Sequence, residues 1–312
     1  MVNNITVYQG GGIVSRGRAQ LTSKCRVDAR FHTLPSALSR YFTTFCFGTV
    51  EVESGDEVHD AMQPEWGTLR FFPDQPPNIT IDRNDRLDAA KFVASGPTSG
   101  LTEYTMRPSR FWGIGLLPLG WETFVGTPAS DMANTLVDGH ADQRFAHFKP
   151  LADVLLDGEK TEQEQLDFIC HFFLDQAPRF GKEDPRIGRI HDCLMAPDLP
   201  SVQSMADHCA IGSRTMERLC RKTFGFPPKL LLRRQRFMRS LAEYMLDPGA
   251  SWSAAIDVLY YDQSHFVRDS HYFLGMTPGE YAALEHPILS GFMRERARLR
   301  GSPAQTLDKP LA

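Results

Sequence analysis

The 312-residue chain has no Cys-x-x-Cys pair, no apolar run long enough to span a bilayer and no Gly-rich phosphate loop. Each absence removes a class of function. Cys25, Cys46, Cys170, Cys193, Cys209 and Cys220 are scattered, so neither a disulfide ladder nor a zinc knuckle is expected, and buried free thiols in a reducing compartment are. The longest apolar run, FWGIGLLPLGW, falls short of the ~20 residues of a membrane helix and contains Gly and Pro. The first thirty residues hold few apolar groups and do not read as a secretory signal. A cytoplasmic protein without a membrane partner is the expectation. There is no HExxH and no Gly-x-Ser-x-Gly elbow, so no catalytic residue is assigned. His32, His59, His140 and His147 include no His-x-His pair, which leaves metal-ligand spacing missing. They read as structural or surface groups, and no metal or cofactor is expected.

What is present is a division of charge. Residues 1–199 carry 19 Lys/Arg and 27 Asp/Glu, whereas residues 200–312 carry 15 and 11. Between 213 and 239 nine basic residues face one acid, Glu217. A solvated helix face normally intersperses acids at i+4, so this stripe points to a polyanion.

The texture of the chain divides at the same place. From 31 to about 146, short runs such as YFTTFCFGTVEVES and LTEYTMRPSR, rich in Phe, Thr, Val and Tyr and broken by turn formers, predict strands of a barrel or sandwich. Trp66, Trp112 and Trp121 read as core packing rather than a ligand cage. After Pro150, EQEQLDFICHFFLDQ places Leu166, Ile169, Cys170 and Phe173 at helical spacing, against the β domain or a second subunit. EDPRIGRIHDCLM predicts another helix, and Pro197 with Pro200 marks a boundary.

Beyond Pro200 the sequence repeats itself. SMADHCAIGSRTMERLCRKTFG (204–225) aligns with AAIDVLYYDQSHFVRDSHYFLG (254–275), at a constant offset of 50 from Ser213 to Gly225. Each copy reads as a short helix with a small residue at the crossing (Ala206, Ala255), a tight turn and a second helix. Apolar positions such as Met216, Leu219, Phe224, Phe266 and Phe273 face inward. On the other face fall Arg214, Thr215, Glu217, Arg218 and Arg221 in the first copy, and Gln263, Ser264, Val267 and Arg268 in the second. Arginine forks to guanine, Gln pairs with adenine and a small aliphatic meets a thymine methyl, so these are the candidate DNA contacts. His265 reads as packing or capping. The intervening KLLLRRQRFMRSLAEYML predicts one helix of about 27 Å, near the ~34 Å between successive major-groove faces. Arg233, Arg234, Arg236 and Arg239 are candidates for its DNA side.

The duplicated unit and the YYDQSHFVRD…GMTPGEY ending closely resemble the C-terminal domain of the AraC/XylS family of bacterial transcription regulators, over roughly residues 186–284. The resemblance implies two helix-turn-helix motifs on one connecting helix, binding double-stranded promoter DNA as an activator or repressor. It also implies an N-terminal β domain that senses a small-molecule effector and dimerises, giving a homodimer with RNA polymerase as a further partner. The expected architecture is α+β and multidomain. Residues 1–150 form a β-rich, cupin-like barrel or sandwich for sensing and dimerisation, 151–198 a helical linker, 199–290 the all-α reader and 291–312 a C-terminal tail. The alternative is a cupin-like β-barrel enzyme with an accessory DNA-binding domain. Ala210 and Leu259 stand where the family usually has Gly, and a non-Gly residue at positive φ costs roughly 1 kcal/mol. Cys220 and Ser270 stand where it usually buries Phe, a loss of about 3–5 kcal/mol if the site does not collapse. The second motif is therefore expected to be looser and to read fewer bases.

Overall fold

A computed structural model describes residues 13–16, 20–21, 25–52, 56–82, 85–177, 183–198, 201–246, 260 and 262–309. Strands β1 (Ile13–Arg16), β2 (Gln20–Leu21), β3 (Cys25–His32), β4 (Phe42–Val52), β6 (Thr68–Phe71), β9 (Phe92–Ser95), β11 (Ser109–Leu116) and β12 (Leu136–Asp138) form an antiparallel sheet. Its order is β1, β3, β4, β11, β6, β9, β12, with β2 on β3. Strands β5 (Val58–Met62), β7 (Asn78–Ile81), β8 (Asp85–Asp88) and β10 (Thr102–Met106) form the second, in the order β5, β10, β7, β8. The expected barrel or sandwich is thus a pair of sheets, and no closed barrel forms among the described residues.

Burial along the strands follows from what covers each face. On β10, Thr102, Tyr104 and Met106 are buried and Glu103 is exposed, the period of two of a half-covered sheet. Strand β4 is buried at nearly every position because both its faces are covered. Phe42, Phe45 and Phe47 join a cluster with helix α3 (Glu162–Gln176), and Thr44 and Cys46 line a cavity on the other side. The stripe Leu166, Ile169, Cys170 and Phe173 on α3 is spent on this β domain. Gln165 fixes the helix there. It accepts from Trp112 Nε1 at 2.7 Å and donates to the Val154 carbonyl of α2 (Lys149–Leu155). Earlier in the chain, a single turn, α1 (Pro118–Gly120), leads into a π-turn, Trp121–Val125. Trp66, Trp112 and Trp121 are all core residues.

The C-terminal half comprises α4 (Pro185–Met195), α5 (Val202–Cys209), α6 (Ser213–Phe224), α7 (Pro228–Leu246), α8 (Gln263–Leu274), α9 (Pro278–Ala282) and α10 (Leu289–Arg300). The first helix expected of the second copy, with Ala255 and Leu259, lies outside the described residues. Helices α6 and α8 have twelve residues each, 50 positions apart, and each ends on a left-handed glycine, Gly225 (φ 84°) and Gly275 (φ 71°). All six cysteines are buried and free. No helix among the described residues is long and apolar enough to cross a membrane.

Both halves share core. Trp66 and Leu117 of the β domain are buried with α4, α5 and α6, while Ala61 and Leu101 are buried with α7, α8 and α10. Residues after 290, expected as a tail, form part of this junction. Asp60 on β5 caps α10, its carboxylate accepting from the backbone N–H of Ile288 and of Leu289 at 2.7 Å each and meeting His286 Nδ1 at 3.1 Å. A carboxylate at a helix N-terminus satisfies orphan donors and complements the dipole. Farther on, Arg296 pairs with Asp308 at 2.5 Å, Gln305 accepts from the Trp66 N–H at 2.7 Å, and Gln235 of α7 donates to the Thr306 carbonyl at 2.6 Å. The segment therefore ties the β domain to the connecting helix.

Candidate nucleic-acid interface

The first motif is built on α5 and α6. Ser201 caps α5 by accepting from Ser204 N–H, and the helix ends at Ala210 with φ 52°, the left-handed turn expected there. Met216, Leu219, Cys220 and Phe224 of α6 are buried against α5 and α4. At Cys220, where the family usually buries an aromatic, the side chain is fully buried with its thiol 3.6 Å from Met216 Sδ. On the outer face Arg214, Arg218 and Arg221 are exposed, and Thr215 and Glu217 are half-buried. Glu217 pairs with Arg221 at 2.9 Å, one turn along the helix. Lys222 turns the other way and reaches Glu122 of the β domain at 2.6 Å.

The second reading helix, α8, begins at Asp262, whose side chain accepts from the His265 N–H at 2.7 Å. The His265 ring meets Tyr260 edge-on at 5.0 Å, which agrees with a packing role. Gln263, Ser264 and Arg268 are exposed and Val267 is half-buried. The helix buries Phe266, Phe273 and Leu274 against α7. Ser270, expected to loosen this motif, donates to the Met276 carbonyl at 2.8 Å and so carries no unsatisfied hydroxyl.

A group that sequence reading passed over locks α8 to the connecting helix. Where the first copy has buried Leu219, the second has Asp269, 1% exposed. Arg233 donates to it at 2.6 Å, the Tyr260 hydroxyl donates at 2.7 Å, and Arg236 lies at 3.9 Å. Arg233 also stacks over Tyr272, 4.2 Å from the ring centroid. An acid replacing a core leucine in the repeat was the available signal.

Of the four arginines considered for the DNA side of the connecting helix, Arg234 is elsewhere. It is fully buried, stacked 4.0 Å from the Trp66 ring and donating to the Thr98 carbonyl at 2.8 Å. Its burial lowers the guanidinium pKa to about 9. The turn of the helix directs it toward the β domain while Arg233 and Arg236 turn to Asp269 of α8. Lys229, Arg233, Arg236, Arg239 and His265 line a groove of about 550 Å³ that runs between α4, α5 and the start of α8. The basic channel therefore lies along α7, between the start of α5 and the start of α8.

In the β domain the four histidines are dispersed. His32 meets Glu162 at 3.0 Å, His59 meets Thr105 at 2.9 Å, His147 meets the Phe124 carbonyl at 2.7 Å, and His140 is 3.8 Å from Asp138. Among the described residues no three His, Cys, Asp or Glu side chains converge as a metal-ligand set.

Residues 205–283 match the family model described as a helix-turn-helix domain. These residues form a helix-turn-helix domain. No curated protein matches the chain at a significant level. Among solved structures, ToxT from Vibrio cholerae is similar at 11% identity, covering 73% of this chain and 97% of that one with a TM-score of 0.43. ToxT bound to an unsaturated fatty acid is similar at 10% identity, 84% and 96% coverage and a TM-score of 0.38. The AraC-like transcriptional activator CuxR gives 12%, 70%, 82% and 0.31. The matched domain is followed by α10, which lies beyond residues 205–283.

Proposed function

We infer that this AraC-type regulator reads double-stranded promoter DNA with α6 and α8 in successive major grooves. Arg214, Thr215, Glu217, Arg218 and Arg221 would lie at the first groove, and Gln263, Ser264, Val267 and Arg268 at the second. The observation that carries the reading is the pair of equal-length helices, 50 residues apart, presenting polar outer faces on one 19-residue strut. That strut is about 29 Å long at 1.5 Å per residue, close to the ~34 Å groove repeat. Phosphates between the two grooves fit the basic channel. The N-terminal domain senses a small molecule and shifts DNA affinity by binding two states unequally. This rests on the cavity beneath α10, whose walls come from both halves of the chain. A homodimer acting in the cytoplasm as an activator through RNA polymerase follows the family plan, and catalysis forms no part of it.

Selection of bound sequences from a random duplex pool, followed by a salt series on the winner, tests the reading. A defined motif is expected, with affinity falling steeply with salt and the slope dropping by about one when a phosphate-contacting arginine is removed. Replacing Arg218 by Ala is expected to cost ~1–3 kcal/mol of specific binding if it forks to guanine. No enrichment over random DNA would refute the reading.

A further inference from the structure

Helix α7 carries Lys229, Arg233, Arg236 and Arg239 at helical spacing, so they form one stripe along a single face. At ~1.5 Å per residue the stripe is about 15 Å long. It lines the groove of about 550 Å³, and among the described residues no acidic side chain lines that groove with it. Leu194, Val202 and Leu232 supply apolar walls. A cleft with low-dielectric walls and charge of one sign focuses its field on whatever lies across its mouth.

Two of these cations are held in place before any partner arrives. Arg233 donates to Asp269 at 2.6 Å and lies 4.2 Å from the Tyr272 ring centroid, and Arg236 lies 4.7 Å from that of Tyr260. One carboxylate shared between two guanidiniums leaves a net positive charge there, and side chains already fixed lose little freedom on binding. Lys229, at the start of the helix, is exposed.

The place of the stripe decides what faces it. With α6 and α8 in successive major grooves, the helix that joins them crosses the minor groove between, and both phosphate rims of that groove run across the stripe. The minor groove of B-DNA is ~6 Å wide, well within the length of the stripe. Narrowing it presses two rows of negative charge together, a cost that facing cations offset. A·T tracts already have a narrow minor groove with enhanced negative potential, whereas G·C-rich segments favour a different geometry.

We propose that α7 selects the base pairs between the two half-sites without touching a base, through a narrow, A·T-rich minor groove whose phosphate rims meet its basic stripe. The inference rests on the reading of α6 and α8 as major-groove readers and adds a third determinant of operator choice.

The operator selected from the random pool, rebuilt with a central segment of A·T, G·C or inosine·C pairs, tests this with the full chain, Lys229→Gln and Lys229→Arg. Inosine lacks the amino group that guanine places in the minor groove, so inosine·C keeps an A·T-like minor groove beneath a G·C-like major groove. The A·T segment is expected to bind about tenfold more tightly than G·C, with inosine·C within about twofold of A·T. Lys229→Gln should narrow the A·T preference to about threefold, and Lys229→Arg should keep it. Equal affinity for A·T and G·C overturns the proposal, while a defined motif in the flanking half-sites leaves the regulator reading standing. Inosine·C binding as weakly as G·C places the discrimination in the major groove and overturns the assignment to α7, as does an undiminished preference in Lys229→Gln. No defined half-sites in the selected pool would instead refute the regulator reading.

Discussion

Acid should loosen the junction between the two halves through a single imidazole. His191 of α4 is 3% exposed, edge-on to Trp66 at 6.0 Å and packed near Phe224 at 6.3 Å. Burial, with a smaller contribution from the neighbouring Arg234 guanidinium, lowers its pKa from 6.5 to about 4, against a hydrogen bond to the Asp308 backbone that acts the other way. Between those two values the unfolded chain binds a proton that the folded chain refuses. Stability from this group is therefore complete above pH 6.5 and is lost as the pH falls toward 4. The full difference corresponds to about 3 kcal/mol, of which about 2 falls between pH 7 and 5. Urea midpoints at those two pH values, for the wild type and His191→Gln, measure it. The variant keeps a polar side chain in place but does not titrate, so it should lose about 2 kcal/mol less than the wild type on acidification. Equal losses in the two proteins would refute the assignment.

Other consequences are open to simpler assays. Asp269→Ala leaves Arg233 and Arg236 facing a gap at the base of α8, and is expected to cost about 3 kcal/mol in denaturant unfolding; an unchanged midpoint would deny the clasp. Gly225→Ala places a Cβ 2.4 Å from Pro97 at φ 84°. A Tm drop reflecting more than ~1 kcal/mol is expected, and an unchanged or raised Tm would count against it. The six thiols should resist a disulfide reagent in the native state at pH 8 and react together in urea. Burial pushes Cys170 and Cys193 up to about 12, so rapid labelling of the folded chain would contradict their environment.

How much could be read in advance depended on whether the signal was local. The reader was legible because a repeat fixes its own register: α6 and α8 begin and end where an offset of 50 places them. Strands β4, β10 and β11 were visible as aromatic and β-branched runs. Strand β3 was passed over, although Cys25, Val27, Ala29 and Phe31 alternate inward, because its charged outer positions mask a short apolar set. Helix α10 was hidden by arginines at 294, 296, 298 and 300, which read as a solvated tail. Ion pairs of Arg296 with Asp308 and of Arg298 with Glu295 make its burial tolerable, and pairing across sequence leaves no local trace. The same applies to Arg234, whose burial is decided by Trp66 and Thr98 on the other half of the chain.

The cap that Asp60 places on α10 joins residues separated by 228 positions. In order of synthesis, the strand that supplies the carboxylate emerges 228 residues before the helix that it caps. At ~5–20 residues per second the gap is on the order of 10–50 s. During that interval the sheet stands with a buried-to-be carboxylate and an uncovered apolar wall, both of which invite chaperones or association. The cap on α10 and the cover over the β domain therefore form in one event rather than two.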